Sequence, residues 1–120
     1  MAAATALDRT LTALADPTRR AVVELLREQP RRAGEVAEAL GTSRPALSRH
    51  LRLLRETGLV EEHAPPEDAR ARVLQLRRQP LADLRRWLEE LDRFWAGRLE
   101  SGFRFSGARD AARRSRRSSR

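Results

Sequence analysis

Residues 42–60, TSRPALSRHLRLLRETGLV, constrain this chain more than any other stretch. Ser43 suits an N-cap, Pro45 fits a first turn where a missing N–H costs little, and Gly58 is placed to end the helix. Between these marks Leu47, Leu51 and Leu54, followed by Leu59, keep the spacing of one buried stripe. Arg44, Ser48, Arg49, Arg52 and Arg55 fall largely off that stripe. The spacing therefore predicts a helix with a core side and a donor-rich side.

An arginine-bearing face is ordinarily just a solvated one, so the flanks decide its meaning. Upstream, Ala33–Leu40 forms a short amphipathic helix with Val36, Ala37 and Leu40 inward, and Gly41-Thr42-Ser43 is a tight turn into the next cap. Helix, glycine turn and helix make a helix-turn-helix. Downstream, Leu59–Ala64 and Arg72–Arg78 read as strands around a Pro65-Pro66-Glu67-Asp68 turn, with Arg72, Leu74 and Leu76 on one face. A basic two-stranded wing beside such a helix points to double-stranded DNA.

The ordered runs LADPTRRAVVELL and EVAEALGTSRPALSRHLRLLRETGLVEEH, then a short wing and a helix rich in leucine and tryptophan, resemble the ArsR/SmtB family of winged-helix repressors. The resemblance spans roughly Leu7 to Leu99. It implies a mainly α winged helix-turn-helix of five helices with a two-stranded β-wing, dimeric through its terminal helices, repressing transcription from a palindromic operator. Phe94-Trp95 in the final helix is similar to subgroups of the family that sense no metal.

The remaining segments fit that plan. Residues 3–14 are expected to be helical, with Leu7, Leu11 and Leu14 on one stripe. Asp16-Pro17 opens a second helix, which Gln29-Pro30 closes. Arg19 and Arg20, near that helix start, read as solvated or paired with Asp16 or Glu24 rather than as phosphate contacts. From Pro80-Leu81 the stripe Leu81, Leu84, Leu88, Leu91, Trp95, widened by Trp87 and Phe94, is broader than one small core requires. It predicts a dimer seam shared with Leu7, Leu11 and Leu14, and the resemblance implies the same pair of helices.

Charge is unevenly distributed along the chain. All 25 basic residues are arginine, and residues 107–120 hold +5 of the formal +8. Residues 31–58 carry six arginines against three glutamates, so the rest of the basicity sits at the helix-turn-helix. Residues 1–105 are expected to form the DNA-binding and dimerisation domain, and 106–120 a disordered arginine-rich tail. Ser101–Gly107 reads as a break, with Phe103 and Phe105 unassigned.

Within the recognition helix, Arg44, Ser48 and Arg49 are expected at base edges, where arginine is the two-pronged partner of guanine. Thr42, Ser43, Arg52 and His50 are assigned to phosphates, with a packing role the competing reading for His50. Arg70 and Arg72 on the wing reach a neighbouring minor groove.

No cysteine is present, which excludes disulfides and thiolate metal sites. The last helix carries Asp83, Glu89, Glu90, Asp92 and Glu100 but no histidine, and His63 beside Glu61 and Glu62 does not converge with them on one ion. We expect no metal and no cofactor. The resemblance leaves an unidentified small-molecule inducer open. No nucleophile–base constellation or glycine-rich phosphate loop suggests an enzyme. The N-terminus lacks a basic leader and no apolar run is of membrane-spanning length, so a cytoplasmic protein is expected. Two rivals stand beside the repressor: a sequence-tolerant nucleic-acid binder driven by the tail, and a partner-binding domain without DNA contact.

Overall fold

Side-chain caps set most of the helix starts in this computed structural model, which describes residues 5–68 and 70–100. Thr5 and Asp8 form a reciprocal capping box, each side chain accepting the other's backbone N–H at 3.1 and 2.9 Å, and α1 runs Ala6–Leu14. This start is later than the expected residue 3, because a Thr-x-x-Asp pattern inside the run fixes the boundary. Asp16 accepts from the Arg19 N–H at 3.0 Å and Pro17 takes the first helical position of α2, Pro17–Glu28. α3 is Ala33–Leu40 and α4 is Arg44–Glu56, the latter capped by Ser43, whose Oγ accepts from the Ala46 N–H at 3.2 Å.

The same device ends both halves of the helix-turn-helix. Gly41 (φ 63°) and Gly58 (φ 78°) occupy the left-handed region, and the residue after each donates back into its helix: Thr42 N to the Ala37 carbonyl and Leu59 N to the Leu54 carbonyl, both at 3.0 Å. The turn between α3 and α4 is thus fixed by backbone bonds.

The strands are β2, Val60–His63, and β3, Val73–Leu76, antiparallel with Val60 opposite Leu76 and His63 opposite Val73. The two expected strands are joined by a third. Arg31–Arg32 forms β1, which pairs with β3 through Arg31–Leu74 and Arg32–Val73 and leaves β3 central in the order β1-β3-β2. Two residues show no alternation, so this strand exists only because β3 offers it an edge.

The described residues divide into two units, one up to Arg85 and one from Arg86 onward. In the first, Ala13, Val22, Leu26, Val36, Ala37, Leu47, Leu51, Leu54, Leu59, Val60 and Leu74 make one buried cluster. Leu14, Leu40, Leu76 and Leu81 pack against it. On α1 the buried residues are Thr10 and Ala13, whereas Leu7 is half-buried and Leu11 is 41% exposed. Thr10 and Ala13 therefore form the buried face of α1, with Leu14 packed beside the core and Leu11 left exposed. α5 is a 22-residue helix, Gln79–Glu100, that begins in the first unit and makes up the described part of the second. The expected tail, the Ser101–Gly107 break, Phe103 and Phe105 lie outside the described residues. No helix among the described residues is long and apolar enough to cross a membrane.

Candidate nucleic-acid interface

α4 buries Leu47, Leu51 and Leu54 and turns its other side outward. At about 100° per residue, Arg44, Ser48, Arg49 and Arg52 fall away from the leucines, and all four are exposed. The guanidinium groups of Arg44, Arg49 and Arg52 have no ion pair or hydrogen bond among the described residues. Arg44 lies along the start of α3, its Nη1 3.4 Å from where a Cβ on Gly34 would stand. Thr42 is half-buried at the turn. Ser43 spends its lone pair on the cap and keeps its hydroxyl proton for an outside acceptor.

Arg19, Arg20 and Arg31 are committed internally, and this separates them from Arg44, Arg49 and Arg52. Arg19 donates from Nε to the Ala13 carbonyl at 2.7 Å and from Nη2 to the Thr12 carbonyl at 3.1 Å. Arg20 donates to the carbonyls of Leu14 and Ala15 at 2.7 and 3.1 Å. Both satisfy the orphan carbonyls at the end of α1, partners that a reading as solvated or acid-paired side chains does not include. Arg31 donates to the Leu25 carbonyl and pairs with Glu28 at 3.0 Å.

The wing is fastened to α4 by charge. Arg55 donates to Glu62 Oε2 at 2.6 Å, and Arg72 approaches the other oxygen of Glu62 at 3.9 Å. Arg77 pairs with Glu61 at 2.9 Å, and His63 with Glu61 at 3.0 Å. Glu61 and His63 share one face of β2 and Glu62 takes the other, as strand alternation requires. Among the described residues no three His, Asp or Glu side chains form a metal-holding group. At the wing tip Arg70 is exposed, its backbone N–H bound to Asp68 Oδ1 at 2.9 Å. Arg72 is 66% exposed despite its long contact with Glu62.

His50 stands apart from the outer face. Its Nδ1 is 3.4 Å from Arg19 Nη1 and 3.7 Å from Asp16 Oδ2, so the ring faces the start of α2. The Arg19 backbone N–H is the main reason the Asp16 carboxyl sits below the usual carboxylate range, with His50 and the Arg19 guanidinium adding to it against the cost of burial. The fastening roles of Arg19 and Glu62 carry no spacing signal. Their partners lie 31 and 7 residues away, and only the fold brings them together.

The residues assigned to dimerisation divide similarly. Leu7, Leu14 and Leu84 are half-buried. Trp87, Leu88, Leu91, Phe94 and Trp95 are 41–56% exposed, a continuous apolar stripe on α5. Arg98 stacks on the Phe94 ring at 4.7 Å to its centroid.

A glycine-turned helix pair whose second helix presents unpaired guanidiniums beside a β-wing defines a winged helix-turn-helix, the class of DNA-binding transcriptional regulators. Residues 16–62 match the family model for the bacterial regulatory protein, arsR family. The chain is 48% identical over 92 residues to the HTH-type transcriptional regulator Rv2034 of Mycobacterium tuberculosis, covering 77% of this chain and 80% of that protein. It belongs to the ArsR family, whose members are regulators and not enzymes. It is also 33% identical over 57 residues to the transcriptional repressor SdpR of Bacillus subtilis, covering 48% of this chain and 63% of that one. An ArsR-like transcriptional regulator from Rhodococcus sp. RHA1 superposes with a TM-score of 0.69 at 28% identity, covering 80% of this chain and 88% of the other.

Proposed function

We propose that this regulator is a metal-independent repressor that binds a palindromic operator as a two-fold dimer. The observation that carries the reading is the set of three uncompensated guanidiniums, Arg44, Arg49 and Arg52, on one exposed side of a helix whose opposite side is core. Such a face is matched by phosphates and guanine edges. Arg44, Ser48 and Arg49 read bases. Thr42, Ser43 and Arg52 position the backbone, and His50 supports the helix from behind. Arg70 and Arg72 enter the adjoining minor groove.

A second copy covers the apolar stripe of α5, and Leu7, Leu11 and Leu14 of α1 are likewise assigned to dimerisation. Two-fold symmetry then sets half-sites roughly 34–36 Å apart, or a multiple of that. Residues 1–105 carry these activities, and the arginine-rich 106–120 adds sequence-independent attraction in the cytoplasm, where the operator lies. The name repressor, held by SdpR, supports the direction of control.

Selection of bound sites from a random duplex pool tests the whole. The full chain and a chain lacking residues 107–120 are each expected to enrich one palindrome. Enrichment of no common sequence by either would sink the proposal, and loss of all binding on truncation would favour a tail-driven, sequence-tolerant binder.

A further inference from the structure

The end of α2, the central strand β3 and the root of α5 enclose a groove of about 690 Å³. Its floor is the edge of the core, where Leu26 is buried and Leu76 and Leu81 pack against the central cluster. Its rim is cationic: Arg27 comes from the last turn of α2, Arg78 immediately precedes α5, and Arg85 lies on α5. Within α5, Leu81, Ala82 and Arg85 recur at helical spacing, so the root of that helix offers the groove one stripe, with Arg78 just before its first turn. The one acid of the lining, Glu28, is taken up by Arg31 at 3.0 Å. Arg27 and Arg78 have no ion-pair partner among the described residues.

An apolar floor under a cationic rim selects one kind of occupant. A neutral molecule would leave Arg27 and Arg78 without a counter-charge, and a bare inorganic anion would leave the leucine floor in water. We infer that this groove is a binding site for a small organic anion: one carboxylate head held by the arginine rim, and a short apolar body lying on Leu26, Leu76, Leu81 and Ala82. The fork of arginine fits a carboxylate two-pronged, and the volume falls in the roughly 300–1,000 Å³ range of small-molecule sites. Because β3 is hydrogen-bonded to both β1 and β2, a molecule seated here rests on the strand that holds the wing.

Titration of the full chain by calorimetry without DNA keeps this claim separate from operator binding. Octanoate is the probe, with octanol as the headless control and inorganic phosphate as the tailless one. Octanoate is expected to give a saturable heat that neither control reproduces, and R27E/R78E is expected to weaken it by about tenfold or more. Ala82→Phe, which fills the floor while leaving the charges, is expected to weaken it similarly, with circular dichroism melting showing both variants folded. If one variant fails to fold, the other decides. No saturable heat from octanoate, equal binding of octanol, a phosphate heat of the same size that R27E/R78E abolishes, or octanoate binding unchanged in a folded variant would each overturn the site.

Discussion

Arg19 Nη1 lies 3.4 Å from His50 Nδ1 while the same guanidinium donates to the Ala13 and Thr12 carbonyls. One planar group thus joins the end of α1 to the helix that carries the candidate interface. Removing the fork in R19A leaves two carbonyls and a ring nitrogen to find water. We expect a loss of about 1–3 kcal/mol in denaturant unfolding, with operator affinity reduced as well. R19K restores the charge without the fork and is expected to recover only part of both. Full recovery by lysine would show that the charge alone matters.

The three free guanidiniums of α4 are expected to separate into two behaviours. R44A and R49A should each cost about 1–3 kcal/mol in operator binding and relax preference at one base position. R52A should weaken all duplexes alike and reduce the salt slope by about one. Binding isotherms on operator and single-base variants across a salt series distinguish the two. A dimer contacting about 6–10 phosphates should lose roughly 10³–10⁵ in affinity from 50 to 200 mM salt. A flat salt response would argue against a phosphate-tracking face.

Glu62 receives Arg55 of α4 at 2.6 Å and Arg72 of the wing at 3.9 Å. Both arginine side chains are substantially exposed, so solvent screening limits the stability at stake to about 0.2–1 kcal/mol per pair. The larger expected effect of E62Q is on wing placement: a few-fold loss of operator affinity. A double-mutant cycle with R55A should show coupling between the two positions. Strict additivity would mean the pair does not orient the wing.

The exposed stripe of α5 is expected to control assembly. L91E/W95E puts two charges on a face whose residues are 41–56% exposed in one copy, so the single chain should tolerate it. Sedimentation should then report a monomer where the parent is a dimer, and operator binding should fall steeply. A parent chain that is already monomeric at micromolar concentration removes the proposed symmetry.

Acid should weaken the fold through its caps. Asp8 is held below the usual carboxylate range mainly by the Thr5 backbone N–H, and Asp16 mainly by that of Arg19. A depressed folded-state pKa gives stability that is present above the unfolded value of about 3.9 and is lost as pH falls through the lower folded value. Melting midpoints should change little from these two groups between pH ~7 and ~5, then drop below about pH 4. D16N, which keeps a capping oxygen that does not titrate, should show a shallower acid limb.

How much of this could be read from residues alone depended on how local the cause was. Ser43, Pro45 and Gly58 bound α4 through contacts within a turn, and Leu47, Leu51 and Leu54 fell inside as their spacing required. Asp16 and Pro17 opened α2 for the same reason. The third strand escaped notice because Arg31 and Arg32 become a strand only when Leu74 and Val73 arrive beside them. Arg19 was legible as a cation near a helix start, but its partners on α1 and α4 belong to tertiary structure. The exposed face of α4 was readable; which of its cations stay uncommitted was not, since that depends on where the acids of β2 lie.

The short flanking strands of the sheet bear on what could pair with its edges. β1 offers only two residues, and β2 fills three of its four positions with Glu61, Glu62 and His63. A foreign strand approaching β2 would bring its backbone alongside charged side chains, and one approaching β1 would find almost no ladder to extend. Lateral growth into fibrils is therefore disfavoured at both margins of the sheet.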